Sequence, residues 1–547
     1  MFLVFSVIAA LPLLTFWILN KLDYYRTKQF AAWPQPKPSR VWGHMKVLNA
    51  FISRGEPNRH IDHVFAEIKT HLGNPPLYFL DPRPIQHPMG IVCSHEIAEQ
   101  VARGSKQFPY GMPKTQTLQA YKYLMGPHSI LTSEGEEWKS LRKRFNPGFA
   151  PQHLLTLLPC ILEKTVPFFE TLDRYAQSGE EFSLAETCTN LTFDIIGAVT
   201  MDEDLGAQLP IDKQSEMVKL YLELAASYHR KSSVRAKVLN PLVVWHQYTL
   251  ACRLDTIIKN HIKRKFAELK EAGAKEKKSR SVLALSLQNI EHLNAHVLDQ
   301  TCDQLKTFLF AGHDTTSILL QWAFYELSRT PRAFESIRRE LDDVFGPDPS
   351  SAIVRDKLLS PNGEELLTKL QYTSAVIKEI LRLYPSSGTG RFVPAGSGAY
   401  IQLPDGRSLC IDGVLMYNCE TLIHREEAVY GESKDDFFPE RWLGDMGACR
   451  IPSSAWRPFE RGPRSCIGQG LATIEAQVIL ACAVRRYEFV KIGLGEIARD
   501  SAGQPILNPR GQYEVKSQLF STMQVTAKPV DGMMMKVKLS SGARKEL

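Results

Sequence analysis

One cysteine and its neighbours constrain this chain more than any other feature. The segment runs Phe459-Glu-Arg-Gly462-Pro-Arg464-Ser-Cys466-Ile-Gly468. Glycine allows close approach of the backbone, so Gly462 and Gly468 predict main-chain N–H groups that point at the sulfur. From Gln469 onward, an apolar repeat of about 3.6 residues predicts a helix. Cys466 would then precede a helix N-terminus, where the dipole and the free N–H groups favour the thiolate over the thiol.

This segment resembles the haem-ligand loop of the cytochrome P450 family, the haem-thiolate monooxygenases. The resemblance covers residues 39–540, almost all of the chain. It implies haem b, an iron protoporphyrin IX, with Cys466 as the axial thiolate ligand. It also implies that Arg464 donates a charge-assisted hydrogen bond to a haem propionate and that Phe459 shields the sulfur from water. The alternative is a glycine-rich loop before a core helix, with Cys466 merely buried.

A second motif, Ala311-Gly312-His-Asp314-Thr315, lies in a long apolar helical pattern. Ala311, Gly312 and Thr315 share one helix face with Phe308. The small residues on this face predict space for a ligand, and the hydroxyl of Thr315 can bond back to the carbonyl of Ala311. The motif resembles the oxygen-activating motif of the family, which implies that Asp314 and Thr315 are an acid–alcohol pair that supplies protons. The alternative is a packing glycine beside a satisfied aspartate.

A third motif pairs Glu379 with Arg382, in a helical pattern that ends near Tyr384. Such pairs are common on helix surfaces and stabilise a helix by only about 0.2–0.5 kcal/mol. A second arginine, Arg441, follows downstream in the segment Phe-Phe-Pro-Glu-Arg-Trp. The resemblance implies that Glu379, Arg382 and Arg441 form a Glu-Arg-Arg triad that stabilises the fold and retains haem. A guanidinium that binds a carboxylate through two hydrogen bonds suits this structural role.

Trp138 and Arg142 are four residues apart, so both project from one face of a predicted helix. They fit the positions at which the family contacts the haem propionates, and Arg391 is a third propionate candidate. Three further basic residues in the same helix are Lys139, Lys143 and Arg144. They form either an ordinary solvated face or a basic surface that docks an acidic reductase and raises its association rate.

The composition limits the class of protein. The chain has 547 residues, a formal net charge of +7 and 44% hydrophobic residues, which suits a large globular protein. This charge gives no support for nucleic-acid binding, and it is compatible with an anionic membrane surface or an acidic redox partner. The ten cysteines form no Cys-x-x-Cys pair, which argues against zinc and redox dithiols. We therefore expect reduced cysteines in a cytosolic body.

The chain begins with an apolar stretch, Phe2 to Leu19, which is followed by Lys21, Arg26 and Lys28. A helix of this length approaches the thickness of the hydrocarbon core of an endoplasmic reticulum membrane. The basic residues on its C-terminal side predict an N-terminus across the membrane and a cytosolic body. We therefore predict a single-pass transmembrane anchor, residues 1–20, in the endoplasmic reticulum membrane. The alternative is a cleaved secretory signal.

The dense prolines that follow predict a basic, proline-rich linker over residues 21–38, and the catalytic domain is predicted over residues 39–547. Helical patterns dominate this domain. The few strand patterns are Leu77–Leu80, Ile91–Cys93, Tyr400–Leu403 and Met534–Leu539. We therefore predict a mainly α protein with small β-sheets: a cytochrome P450 fold with a single large haem-binding domain and an N-terminal transmembrane helix.

The resemblance implies an enzyme that inserts one oxygen atom from O2 into an apolar organic substrate. A thiolate ligand donates electron density to iron, which favours O–O cleavage. Electrons would come from NADPH through NADPH-cytochrome P450 reductase, with cytochrome b5 as a second donor, because the chain has no nicotinamide or flavin fingerprint. The chain looks most like fungal microsomal members that act in secondary metabolism.

Substrate contacts are expected from residues 108–124, from Phe308 and Ala311, and from the turn at residues 386–390. A fatty-acid or alkane hydroxylase is one alternative. A haem-thiolate isomerase or dehydratase needs no acid–alcohol pair, so the second motif argues against it. A non-catalytic haem-binding protein needs no distal cavity, and the small residues of the same motif argue against that class.

Overall fold

The computed structural model describes residues 2–229, 240–271, 280–444, 451–522, 524–540 and 543. Over these residues the chain is mainly helical with small sheets, as predicted. The α-helices, numbered in chain order, are α1 (Phe2–Asp23), α2 (Met45–Ile52), α3 (Ile61–His71), α4 (His95–Ala102), α5 (Lys122–Met125), α6 (Gly135–Phe145), α7 (Pro151–Leu155), α8 (Leu158–Ser178), α9 (Leu184–Met201), α10 (Glu216–His229), α11 (Pro241–Glu271), α12 (Val282–Leu287), α13 (Ala295–Arg329), α14 (Pro331–Phe345), α15 (Ser351–Leu358), α16 (Gly363–Lys369), α17 (Gln371–Leu383), α18 (Glu420–Ile423), α19 (Glu427–Tyr430) and α20 (Gln469–Ala483).

The strands are β1 (Leu77–Leu80), β2 (Met89–Val92), β3 (Phe182–Ser183), β4 (Thr389–Phe392), β5 (Tyr400–Gln402), β6 (Ser408–Cys410), β7 (Leu415–Asn418), β8 (Tyr487–Lys491) and β9 (Met534–Leu539). Short 3-10 turns occupy Gln116–Tyr121, Asn146–Phe149, Gly431–Asp435 and Pro439–Trp442. The strands form a four-stranded, a three-stranded and a two-stranded sheet.

Contacts group the chain into two compact units, each built from several stretches of sequence. The first comprises Met1–Thr115, Gly388–Lys434 and Ile451–Ser465. The second comprises Gln116–Ser387, Asp435–Arg450 and Cys466–Leu547. The predicted catalytic domain therefore corresponds to parts of both units.

A four-stranded sheet in the order β1-β2-β7-β4 organises the first unit. β2 pairs with β7 in parallel, and β1 and β4 pair with their neighbours in antiparallel orientation. Phe79, Val92 and Met416 of this sheet are buried in one hydrophobic core with Ile97 of α4. In the register of β4 and β7, Arg391 lies opposite Met416. The sheet therefore fixes the position of one of the predicted propionate ligands.

The N-terminal segment of the first unit differs from its prediction. α1 ends at Asp23, beyond the predicted anchor, and continues as a π-helical turn over Tyr24–Lys28. Trp33 is only 5% exposed and belongs to the hydrophobic core, and the N–H of Phe79 donates to the carbonyl of Pro34 at 2.8 Å. The proline-rich segment is therefore packed against the first unit and is not a free spacer, because its aromatic residue is buried.

Among the described residues, no helix combines sufficient length with sufficient apolar character to cross a membrane.

Close packing of α9 against α13 is central to the second unit. The hydroxyl of Thr192 donates to the carbonyl of His313 at 2.6 Å. A Cβ atom placed at Gly312 would lie 2.5 Å from Cγ1 of Ile196, closer than real Cβ contacts allow. Gly312 therefore permits the two helices to approach, since it presents no side chain at the contact.

We expect Gly312→Ala to destabilise the protein by about 1–2 kcal/mol. Overpacking costs about 1–3 kcal/mol, and the better helix propensity of alanine returns up to about 1 kcal/mol. The change in the midpoint of urea unfolding, against wild type, measures the effect.

Gly470→Ala is the matched control, because a Cβ at Gly470 of α20 meets only the end of the Leu154 side chain, at 3.0 Å. It should be neutral or stabilising. Equal midpoints for Gly312→Ala and Gly470→Ala would contradict the packing role of Gly312. A second contradiction would be a double variant, Gly312→Ala with Ile196→Ala, in which the two losses of stability simply add.

Candidate active site

One face of α13 is open, whereas the rest of its central part is buried. Over residues 301–327 every residue is buried except Phe310, Ala311, Gly312 and Thr315, which are partly exposed. The hydroxyl of Thr315 donates to the carbonyl of Ala311 at 2.8 Å, so the predicted back-bond is present. Such a bond loosens the helix locally. A helix face that opens at a methyl group and a hydroxyl can border a mostly apolar ligand.

Asp314, the predicted acid of the pair, is held by residues close to the C-terminus. Its carboxylate forms an ion pair with Lys528 and accepts a hydrogen bond from the hydroxyl of Thr526. Burial raises the pKa of Asp314, but Lys528 and then His313 lower it more, so the pKa lies below its ordinary value. Asp314 is therefore a buried, ionised carboxylate.

Two residues of the predicted ligand face have other contacts. Phe308 is buried, with its ring edge-on to those of Phe145 and Phe149 at 5.3 and 5.1 Å. The prediction that Phe308 contacts substrate is wrong, because aromatic packing uses it. Gly312 has a second role, because the space into which its side chain would project is taken by Ile196, and its predicted place beside a ligand stays a prediction.

Cys466 lies shortly before α20, whose N-cap is Gly468, and its side chain is exposed. The first turn of α20 has no acidic residue, so no nearby carboxylate of that helix opposes a thiolate. Gly468 has φ of −87°, and a Cβ there would lie 3.9 Å from the sulfur, an ordinary contact. The expectation that glycine at this position is needed for close approach to the sulfur is therefore wrong.

Trp138 and Arg142 lie on α6 and line a cavity of about 620 Å³ together with Lys139 and Lys143. Burial lowers the pKa of Arg142, and the side chain of Cys466 acts in the opposite direction. The sulfur is therefore close enough to this guanidinium to interact electrostatically. The structure brings together the predicted ligand and one of the predicted propionate contacts.

Arg144 does not belong to the solvated face of α6. Its guanidinium donates to the carbonyl of Ser286 at 3.1 Å and to the hydroxyl of Thr301 at 2.5 Å. Burial lowers its pKa to about 10. Arg144 therefore connects α6 to α12 and α13, whereas Lys143 is exposed. Neither proposed interpretation of Arg144, as a solvated or as a docking residue, is correct.

Glu379 is the centre of a buried charge cluster in the second unit. Arg382 donates two hydrogen bonds to its carboxylate, at 2.9 and 2.8 Å, and Arg441 donates another at 2.9 Å. The N–H of Phe438 and the indole of Trp442 also donate to it, at 3.0 and 2.9 Å. Burial raises the pKa of Glu379, but Arg382 and then Arg441 bring it below its ordinary value. The structure thus assembles all three members of the predicted triad.

The first unit contains the other two arginines predicted to contact haem. Arg391 is 1% exposed in β4, and its backbone forms an isolated β-bridge with Lys114. Arg464 is 7% exposed, with its side chain close to Gly111. Burying a guanidinium is costly unless anions or dipoles compensate its charge. Arg391 and Arg464 are therefore buried cations of the first unit, and Lys114 is a further basic residue beside Arg391 that the sequence motifs did not reveal.

Two more residues of the cysteine segment lie in the first unit. Gly462 has φ of +77°, and a Cβ there would collide with the carbonyl of Ala102. Glycine is therefore required at this position because of its backbone conformation and its contact with Ala102, and the predicted role of Gly462 beside the sulfur stays a prediction. Phe459 is partly buried, and its ring lies edge-on to that of Trp456 at 6.2 Å.

Sequence reasoning missed an ion pair that holds this segment. Arg457 is 1% exposed and donates to Glu460 at 2.7 Å and to the carbonyl of Ala98 at 3.1 Å. The amide of Asn418 also donates to Glu460, at 2.9 Å. Glu460 has a left-handed backbone, with φ of +52°, which a non-glycine residue adopts only when its contacts hold it. The only sequence signal was a pair of opposite charges three residues apart, which is common.

The sequence model of the cytochrome P450 family matches residues 34–517. The chain therefore belongs to the cytochrome P450 family.

Relatives agree with this assignment. The cytochrome P450 monooxygenase acrF of Aspergillus aculeatus is 30% identical, over 84% of this chain and 94% of its own length. The cytochrome P450 monooxygenase polC of Polytolypa hystricis is 28% identical, over 88% and 86%. Human cytochrome P450 4V2 is 26% identical, over 91% and 92%. The protein is an oxidoreductase of the cytochrome P450 monooxygenase family.

Members of this family bind haem b with an axial cysteine thiolate, and the residues of this chain fit that group. In the second unit, Cys466 offers an exposed sulfur close to the guanidinium of Arg142, and a nearby cation favours the thiolate. In the first unit, Arg391 and Arg464 are buried cations that suit carboxylates such as propionates.

We expect Arg382→Gln to reduce the free energy of unfolding by about 3–5 kcal/mol, because it leaves the buried carboxylate of Glu379 with one guanidinium instead of two. The midpoint of urea unfolding measures this loss. Arg103→Gln is the control, since Arg103 pairs with Glu99 at 3.0 Å but its side chain is 71% exposed. Exposed pairs contribute about 0–1 kcal/mol. Similar losses in both variants would contradict a special role for the cluster.

Proposed function

We propose that the protein is a haem-thiolate monooxygenase that inserts one oxygen atom of O2 into an apolar organic substrate, with electrons delivered from NADPH by a reductase. The observation that carries this proposal is the exposed thiol of Cys466, which precedes α20 and interacts electrostatically with Arg142. When bound, haem supplies the oxygen and redox chemistry. The chain supplies the ligand, the cations, the proton donors and the substrate pocket.

The residues proposed to hold haem are Cys466, Trp138, Arg142, Arg391, Arg464 and Phe459. Cys466 is the axial ligand. The three arginines neutralise the propionates, and burial strengthens their hydrogen bonds to such anions. Trp138, which is 6% exposed on α6, would contact the group through its indole. Glu379, Arg382 and Arg441 retain haem indirectly, by holding α17 against the turn at Pro439–Trp442.

Protons are delivered from the open face of α13. The hydroxyl of Thr315 donates to the carbonyl of Ala311, which leaves its oxygen as an acceptor for an ordered water. Asp314 is the ionisable group that exchanges protons with this water. The surrounding buried residues of α13 keep bulk water away.

The substrate is apolar, since Phe310 and Ala311 border the open face. The relatives acrF and polC are named cytochrome P450 monooxygenases, which supports the proposed activity, and a role in secondary metabolism is part of the proposal. The exposed lysines of α6, Lys139 and Lys143, are proposed to dock NADPH-cytochrome P450 reductase. The class of substrate is identified by co-expressing the protein with that reductase and comparing the products formed from terpenoid, polyketide and fatty-acid substrates.

The apolar N-terminal helix α1, flanked by Lys21 and Arg26, is proposed to hold the protein at the endoplasmic reticulum membrane with its body in the cytosol. Extraction of the full chain from membranes at high pH, compared with a chain that begins at Gln29, tests this proposal.

We expect Cys466→Ala to abolish thiolate ligation. The measurement is the absorbance spectrum of the reduced carbon monoxide complex, in which sulfur ligation shifts the Soret band far to the red. Cys410→Ala is the matched control, because Cys410 is another exposed cysteine of the chain. It should keep the wild-type spectrum. A red-shifted band in Cys466→Ala would end the assignment of Cys466, and its absence in wild type would end the proposed function.

We expect Thr315→Ala to retain haem and substrate binding but to release more peroxide per NADPH consumed, because the variant lacks the hydroxyl that positions water. Thr256→Ala is the control: Thr256 makes the same back-bond, to the carbonyl of Cys252 at 2.9 Å, on an exposed part of α11. Unchanged coupling of NADPH to product in Thr315→Ala would exclude this hydroxyl from proton delivery.

A further inference from the structure

A segment close to the C-terminus, Thr526 to Lys528, binds the carboxylate of Asp314, the buried acid of α13. Its base is closed by two backbone hydrogen bonds, from Val530 to Phe520 at 3.1 Å and from Thr522 to Lys528 at 2.6 Å. Thr526 is 4% exposed, whereas the side chain of Lys528 is 25% exposed. The segment therefore inserts a hydroxyl into the core and leaves its cation partly in solvent.

Among the described residues, three polar contacts join the 526–528 segment to Asp314 and to Ser386. Lys528 forms the ion pair with Asp314, and the hydroxyl of Thr526 donates to the same carboxylate. The N–H of Ala527, between them, donates to the carbonyl of Ser386 at 2.8 Å. Ser386 begins the turn from which substrate contacts were expected. One segment therefore connects the acid of α13 to the start of that turn.

Lys528 is the dominant cation at Asp314. The other titratable groups that face the carboxylate are His313, whose Nε2 lies 3.9 Å away, and the buried Tyr221 of α10. The Nδ1–H of His313 donates to the carbonyl of Leu309 at 2.6 Å, and the His313 ring lies edge-on to that of Tyr221. Because Asp314 is almost fully buried, its charged form depends on Lys528 more than on any other group.

We propose that Lys528 and Thr526 are positioning residues that keep Asp314 ionised and directed toward the 526–528 segment, so that movement of the segment controls when Asp314 takes part in proton delivery. This inference rests on the proposed function. Because Ala527 is bonded to Ser386, a substrate that displaces Ser386 also loosens the hold on Asp314. Proton delivery would then follow occupancy of the substrate pocket, which limits wasteful release of peroxide.

The first test is the protonation state of Asp314 in the haem-loaded protein without turnover. In Lys528→Met, burial is no longer opposed by the ammonium group, so we expect Asp314 to become a neutral acid at pH 7. Infrared difference spectra between Lys528→Met and Lys528→Met/Asp314→Asn should show the carbonyl stretch of a protonated carboxyl. The corresponding difference between wild type and Asp314→Asn should show a carboxylate. A carboxylate in both pairs would overturn the proposal.

The second test is turnover. Lys528→Met should release several-fold more peroxide per NADPH than wild type, with substrate affinity unchanged, and Lys528→Arg should restore both coupling and the carboxylate signal. Lys516→Met is the matched control, because Lys516 pairs with Glu496 at 2.5 Å on the same C-terminal stretch, away from Asp314. Equal coupling in Lys528→Met and Lys516→Met would also overturn the proposal.

If Lys528→Met does not fold, the same measurements are made on Lys528→Gln, because glutamine removes the charge but keeps a hydrogen-bond donor. Failure of this inference differs from failure of the proposed function. The infrared measurement concerns Asp314 in resting protein, whereas loss of the thiolate spectrum or of monooxygenase activity in wild type concerns haem.

Discussion

A buried carboxylate between two guanidiniums is the interaction on which the second unit depends. Glu379 and Arg382 of α17 are both fully buried. Arg441 also contacts Glu379, from the turn Pro439–Trp442, which lies more than fifty residues after α17 in sequence. Such a charge is stable in the interior only when all its partners are present. Arg382 also donates to the carbonyl of Asp436 at 3.0 Å, and the side chain of Asp436 pairs with Arg510. The cluster thus fixes distant parts of the chain at once.

Asp314 is a second buried carboxylate that needs a partner to stay charged, but its partner is less enclosed than those of Glu379. Glu379 is bound by the fully buried Arg382 and by Arg441, whose side chain is 9% exposed, so it serves as a fixed structural centre. Asp314 depends on Lys528, whose side chain reaches solvent, so its environment changes with a modest movement of one segment. The contrast separates a carboxylate that holds the fold together from one that suits proton transfer.

Local sequence pattern predicted the elements that carry their own signal. β1 and β9 have the bounds expected for them, and the long helical pattern around Asp314 forms α13, which Asn294 caps by accepting from the N–H of Val297. β4 and β7 were missed because short strands are defined by their pairing with each other, which no local pattern shows. The last two residues of the turn expected at residues 386–390 belong to β4, because pairing with β7 extends them into a strand.

For the candidate site, motif spacing predicted which residues matter but not what they touch. The back-bond of Thr315 and the pairing of Glu379 with Arg382 join residues three or four positions apart, so the local spacing predicted them. Arg441 was expected only from the family resemblance, because it lies 62 residues from Glu379 in sequence. Lys528 lies more than two hundred residues from Asp314, and Ile196 more than one hundred from Gly312, so only the fold reveals them. Arg144 was misassigned because its helix face depends on α12 and α13.

The contact between Gly312 and Ile196 also determines how this enzyme can diversify. Adjacent positions on α13 have opposite tolerances: any added bulk at 312 must push a neighbouring helix, whereas Ala311 projects from the partly exposed face. Enlarging residue 311 would add side-chain bulk on that partly exposed face without displacing a neighbouring helix. For a ligand that borders this face, as proposed, substitutions at Ala311 can therefore change the size that fits with little effect on the packing of α9 against α13.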